Sequence, residues 1–83
     1  MTEGLTFPCR YPVKVMAERG ARSAVLAVVG RHANFSETED VRLRPSRHGR
    51  FEAITVTVSV ETRARLEALY ADLDRLDPVK MML

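Results

Sequence analysis

Periodicity along the chain predicts an α+β fold with four strands and two helices in the order βαββαβ. Three observations carry that expectation. Apolar and polar residues alternate with period two over 11–16, 41–45, 50–60 and 79–83, which is the mark of half-buried strands. Apolar residues recur at helical spacing over 21–33 and 61–76. Gly20, Gly49 and Pro78 punctuate the junctions between those segments.

Tyr11, Val13 and Val15 share one side of the first strand, Tyr11–Met16, with Pro12, Lys14 and Met16 on the other. Ala17, Glu18, Arg19 and Gly20 break the alternation and read as a turn. Ala21, Val25, Val28, Val29 and His32 then fall on one stripe of a helix over Ala21–Ala33. Arg31 and His32 suit the negative end of its dipole. Residues 34–40 form a polar loop. The second strand, Val41–Pro45, is short, and Pro45 lacks the N–H that a central strand needs, so this strand belongs at an edge. Ser46–Gly49 is the hairpin turn, with Gly49 free to take positive φ. Arg50–Val60 carries the strongest strand signal and reads as central, with Ile54, Val56, Val58 and Val60 on one side. Leu66, Leu69, Tyr70, Leu73 and Leu76 stripe the second helix, Glu61–Leu76, for which Thr62 is the natural N-cap. Asp77-Pro78 ends it, and Val79–Leu83 is the last strand.

Each helix has a single apolar stripe, so each must cover a sheet, and right-handed crossovers place both on the same face. The result is a ferredoxin-like sandwich, an antiparallel four-stranded sheet in the order 4-1-3-2 with two helices on one side, as a single domain over residues 1–83. Val13, Val15, Val41, Leu43, Ile54, Val56, Val58, Val79 and Met81 are expected to face the helices. The opposite face is left bare. Its candidate partner surface comprises Lys14, Met16, Arg42, Arg44, Phe51, Lys80 and Met82.

With 83 residues, 46% of them apolar and 29% charged, the chain suits one small folded domain. A chain of this length buries only about 60–65% of its unfolded surface, which raises the expectation of a homodimer. The longest apolar run, Ala24–Val29, is far short of the roughly 20 residues of a membrane span. The amino-terminal segment, acidic at Glu3, has no apolar stretch of secretory type. Cys9 is the lone cysteine, which excludes an internal disulfide and a thiolate zinc site and suits a reducing, cytoplasmic setting. Charge is lopsided. Residues 1–50 hold nine basic and five acidic side chains, while residues 51–83 hold four and six. The excess gathers at Arg42, Arg44, Arg47 and Arg50, a cluster able to steer an anionic partner.

Catalytic patterns are not visible. Neither His32 nor His48 has an i+3 or i+4 partner of His, Asp, Glu or Cys type arranged as a metal site. Cys9 has no base or oxyanion site indicated by spacing. Asp72, Asp74 and Asp77 read as a solvated helix face, and no glycine-rich phosphate loop occurs. No enzyme, cofactor or metal is therefore expected. Ser23, Ala27 and Gly30 make a strip of small residues on the outer side of the first helix.

The chain resembles the YbeD-like family of small uncharacterised bacterial proteins. The resemblance rests on F-P-C-R-Y-P-V-K-V-M at 7–16, R-H-A at 31–33, R-P-S-R-H-G-R-F at 44–51, I-T-V-T-V at 54–58, L-E-A-L-Y-A-D-L at 66–73 and V-K-M-M-L at 79–83. Ala17 stands where that family usually has glycine. The resemblance implies a fold like that of ACT regulatory domains, which bind small molecules at subunit interfaces, and a gene-neighbourhood link to lipoate metabolism. It makes Ala17, Glu18, Arg19 and Gly20 the candidate ligand loop.

The function expected is thus a non-catalytic regulatory or protein-interaction module, homodimeric and metabolite-sensing in the ACT manner. The alternative is RNA binding through the basic bare face. R-H-G-R-F at 47–51 faintly echoes an RNA-recognition signature, but Phe51 is the one aromatic that face offers for base stacking.

Overall fold

The structure is a computed structural model, and it describes residues 4–83. Glu3, on which part of the leader reading rests, lies outside the described residues. The elements are β1 (Cys9–Glu18), α1 (Arg22–His32), β2 (Val41–Pro45), β3 (Phe51–Val60), α2 (Arg63–Arg75) and β4 (Val79–Met82). The sheet runs β2-β3-β1-β4 with every neighbouring pair antiparallel, the 4-1-3-2 order read from the other edge.

Both helices cover the same face. Val13, Val15, Ala17, Ile54, Val56, Val58 and Val60 from the sheet, and Val25, Val29, Leu66, Leu69 and Leu73 from the helices, are all at most 1% exposed and form one cluster. Each fully buried Val, Ile or Leu contributes about 1.5–3 kcal/mol relative to an exposed one. Tyr70 meets Tyr11 edge to face, with ring centroids 6.4 Å apart at 87°. Thr62 caps α2 as expected, its hydroxyl accepting from the Arg65 N–H at 3.1 Å.

Three expectations need correction. First, β1 reaches Glu18, two residues further than the alternation indicates. It pairs with β3 over ten residues, from Cys9↔Val60 to Glu18↔Phe51. The Glu18 N–H also donates to the Pro78 carbonyl at 2.8 Å and the Arg19 N–H to the Arg50 carbonyl at 3.1 Å. Ala17 and Glu18 are poor strand formers, so cross-strand pairing decides here over propensity. The connection to α1 shrinks to a turn at Arg19-Gly20, with Gly20 at φ +90°.

Second, β4 is out of phase with the sequence reading. Met16 pairs with Met81 but Ala17 pairs with Val79, so Lys80 is the extra residue of a bulge. Val79 and Met82 pack against the core, and Met81, 57% exposed, faces the bare side. Met81, Met82 and Leu83 are apolar in either phase, which is why the bulge leaves no trace in the alternation.

Third, Leu43 pairs with Ile54 on the helix side yet is 43% exposed, because its strand is the edge next to β3 and the helices do not cover it.

The small-residue strip on α1 is flanked rather than open: the Phe35 ring lies 3.8 Å from where a Cβ on Gly30 would stand. The 34–40 loop is closed by Asp40, whose carboxylate accepts from the Ser36 N–H and from Arg10, both at 2.7 Å. These two bonds, the Ser36 backbone first, hold the Asp40 carboxyl below its ordinary range.

Candidate functional site

Strand alternation sets the residues of the bare face, and register sets their rows. One row crosses all four strands: Arg44 pairs with Ala53, Ala53 with Met16, and Met16 with Met81. A second runs Arg42, Thr55, Lys14. Leu83, whose N–H donates to the Lys14 carbonyl at 2.9 Å, extends it. The rows give the face a gradient. Cations stand over β2 and the middle of β1, and apolar side chains stand over the β1–β4 side. Met81 and Leu83 are 57% and 46% exposed there, and Met16 is half-buried.

The charge is uncompensated on the basic side. Arg10 is paired with Asp40 at 2.7 Å, and Glu18 with Lys80 at 3.4 Å. Lys14, Arg42 and Arg44 are exposed and have no acidic partner among the described residues. The β2–β3 hairpin adds to the excess. Its turn is closed by Gly49 N–H to the Ser46 carbonyl at 3.0 Å and by Phe51 N–H to the Ser46 hydroxyl at 3.2 Å. Gly49 sits at φ +71°, where a β-carbon would be strained. Ser46, Arg47, His48, Arg50 and Phe51 line a shallow hollow. The Arg19 guanidinium reaches the same end, 3.6 Å from the place of a Gly49 side chain.

The partner surface expected from sequence is therefore assembled in part. Lys14, Met16, Arg42, Arg44 and Phe51 share the bare face. Met82 leaves it for the helix side, and Met81 and Leu83 take its place. Lys80 turns back to the Asp77 carbonyl at 3.1 Å and to Glu18. The candidate ligand loop is dispersed. The Ala17 side chain is fully buried in β1, Glu18 is a strand residue engaged by Lys80, and only Arg19 and Gly20 form a turn.

Asp74 and Asp77 are exposed, and Asp72, 33% exposed, makes a contact that the reading of a solvated face did not include. His32 Nε2 lies 2.6 Å from Asp72 Oδ2, joining α1 to α2, and Arg75 reaches the other oxygen at 3.4 Å. The His32 bond is the chief cause of the lowered Asp72 carboxyl pKa, against a smaller opposing effect of desolvation. His32 lies at the end of the α1 stripe, and that placement was the one available sign of a contact with α2. Cys9, half-buried, pairs with Val60 at the far end of β1. Burial, then the bond to Tyr11, raises the pKa of the Tyr70 hydroxyl. Among the described residues no three of His, Cys, Asp and Glu gather as a metal site, and no helix is long and apolar enough to cross a membrane.

Comparison with known proteins bears on this geometry at two levels. The solution structure of protein HP0495 from H. pylori superposes with a TM-score of 0.79, covering 100% of this chain and 93% of its own, at 15% identity, a likeness of fold alone. At the sequence level, a UPF0250 protein of Chromobacterium violaceum is 43% identical over 79 residues, 93% of this chain and 89% of the relative. UPF0250 proteins of Azotobacter vinelandii and Yersinia pestis are 38% and 36% identical, covering 95% and 100% of this chain and 89% and 95% of their own lengths. The profile of the family described as protein of unknown function DUF493 matches residues 2–83. The chain belongs to that family, the YbeD-like group its sequence resembles.

Proposed function

We propose that this protein is a non-catalytic interaction module of the cytoplasm that works through its bare sheet face. One observation carries the reading: a face spanned by a continuous row, Arg44–Ala53–Met16–Met81, sets cations that lack an acidic partner among the described residues beside exposed apolar side chains. Water is a poor solvent for the second group, and bare cations attract anions, so the combination favours a partner. The scattered placement of Cys9, His32 and His48 supports a binding role over a chemical one. The metabolite-sensing version has less support, since Ala17 and Glu18 are committed to the sheet.

The test is site-specific photocrosslinking in the cells that make the protein. A crosslinker replacing Thr55, in the middle of the bare face, is expected to give discrete adducts, whereas one replacing exposed Glu67 on α2 gives none. Adducts from Glu67 alone, or from neither position, would refute the reading. The expected homodimer is tested by light scattering across a dilution series.

A second reading, RNA binding, is favoured by one observation, the run of cations at Arg42, Arg44, Arg47 and Arg50 that have no acidic partner among the described residues. Filter binding of mixed oligonucleotides at low salt tests it, and no retention rejects it.

A further inference from the structure

We infer that the occupant of the bare face is an acidic amphipathic helix of a partner protein, an inference that rests on the interaction reading above and adds the chemistry of the partner.

Shape comes first. Strands lie about 4.8 Å apart, so four of them offer a platform roughly 14 Å wide. A helix with its side chains is about 10–12 Å across. One helix therefore covers the platform, making a third layer opposite α1 and α2.

Chemistry then selects the kind of helix. Met16, Met81 and Leu83, with Ala53 between the first of these and Arg44, call for an apolar stripe. Methionine is unbranched and polarizable, and suits a surface that moulds itself to a partner. Lys14, Arg42 and Arg44 lie along one side of that stripe without counter-charge among the described residues, and they call for carboxylates on the matching flank. The gradient across the rows also sets orientation, with the acidic flank over β2 and the apolar stripe toward β4.

The other occupants fit less well. A second copy laid face to face would bring two sets of Lys14, Arg42 and Arg44 into one poorly solvated layer, with Glu18 already engaged by Lys80. Single-stranded RNA needs aromatic platforms on the middle strands. Those positions hold Lys14, Met16, Ala53 and Thr55, and Phe51 sits at the end of β3, paired with Glu18.

The experiment uses the full chain and three fluorescein-labelled probes followed by anisotropy: a helical peptide with a leucine stripe and a glutamate flank, its lysine-flanked counterpart, and oligo(U). The glutamate peptide is expected to bind saturably and more weakly as salt rises. Arg42→Glu with Arg44→Glu is expected to weaken it by about tenfold or more, and Met81→Glu to a similar degree. Arg44→Ala, which leaves the edge strand neutral, should weaken it less, and Glu67→Lys on α2 should change nothing. Circular dichroism confirms that each variant is folded. Equal binding of the lysine peptide, indifference to the double variant, or no saturable binding overturns the inference. Oligo(U) binding lost in the same variant would assign the face to nucleic acid instead. Where Thr55 crosslinks persist but the glutamate peptide fails, the partner chemistry alone falls; where both fail, the interaction reading falls with it.

Discussion

On β3, Ile54, Val56, Val58 and Val60 are at most 1% exposed, while their neighbours one residue out of phase, Ala53, Thr55 and Thr57, stay half-open and Ser59 is exposed. The same contrast holds on β1, between Val13 and Val15 on one side and Lys14 and Met16 on the other. One sheet thus has a face built for folding and a face that folding leaves over. The covered face is uniform, β-branched and closed by leucines of α2. The bare face mixes cations, hydroxyls and methionines in rows that neither α1 nor α2 covers. Side chains on the first are held by packing, so change there is expected to register as stability. Side chains on the second contribute little to the fold, so change there is expected to register in binding.

Four substitutions break or sharpen that contrast. Leu69→Ala, at a fully buried site, is expected to destabilise by about 2–5 kcal/mol, lost transfer energy plus cavity, read as a shift in urea midpoint at constant slope. Thr62→Ala removes the hydroxyl that caps α2, a loss of about 1 kcal/mol in the same assay. The third concerns the tie between the helices. Asp72 has a depressed carboxyl pKa, from an ordinary value of 3.8. A carboxylate lowered on folding adds stability that is present above its unfolded pKa and is lost as pH falls through the lower folded one. Asp72→Asn should therefore lower the midpoint at neutral pH, and the gap to the parent should close below about pH 4. The smallest effect is expected on the bare face, where Met81→Ser should stay within about 0.5 kcal/mol of the parent. A large destabilisation by Met81→Ser would erase the distinction between the faces.

The sequence made the covered face legible and the bare face only half so, for physical reasons. Stripes such as Leu66–Leu69–Leu73 and Ile54–Val56–Val58 have one explanation, burial, and they placed both helices and the central strand correctly. Register is different, because it depends on pairs distant in the chain. The extension of β1 through Ala17 and Glu18 is dictated by Glu52, Phe51 and Val79 across the sheet, not by local propensity. The bulge at Lys80 exchanges Met81 for Met82 on the bare face without altering composition. His32 and Asp72 are 40 residues apart, and nothing in the spacing joins them. The basic cluster was visible as a run of arginines, but its adjacency to Met16, Met81 and Leu83 emerges only from the rows.

The account stands most directly on where a partner touches this molecule. Titrating the isotopically labelled protein with the leucine-glutamate helical peptide, and following backbone amide shifts, maps that contact residue by residue. The account predicts shifts centred on Lys14, Met16, Arg42, Arg44, Ala53, Thr55 and Met81, with α1 and α2 unmoved. Shifts centred on the outer faces of the helices, with those strand amides unchanged, would contradict it.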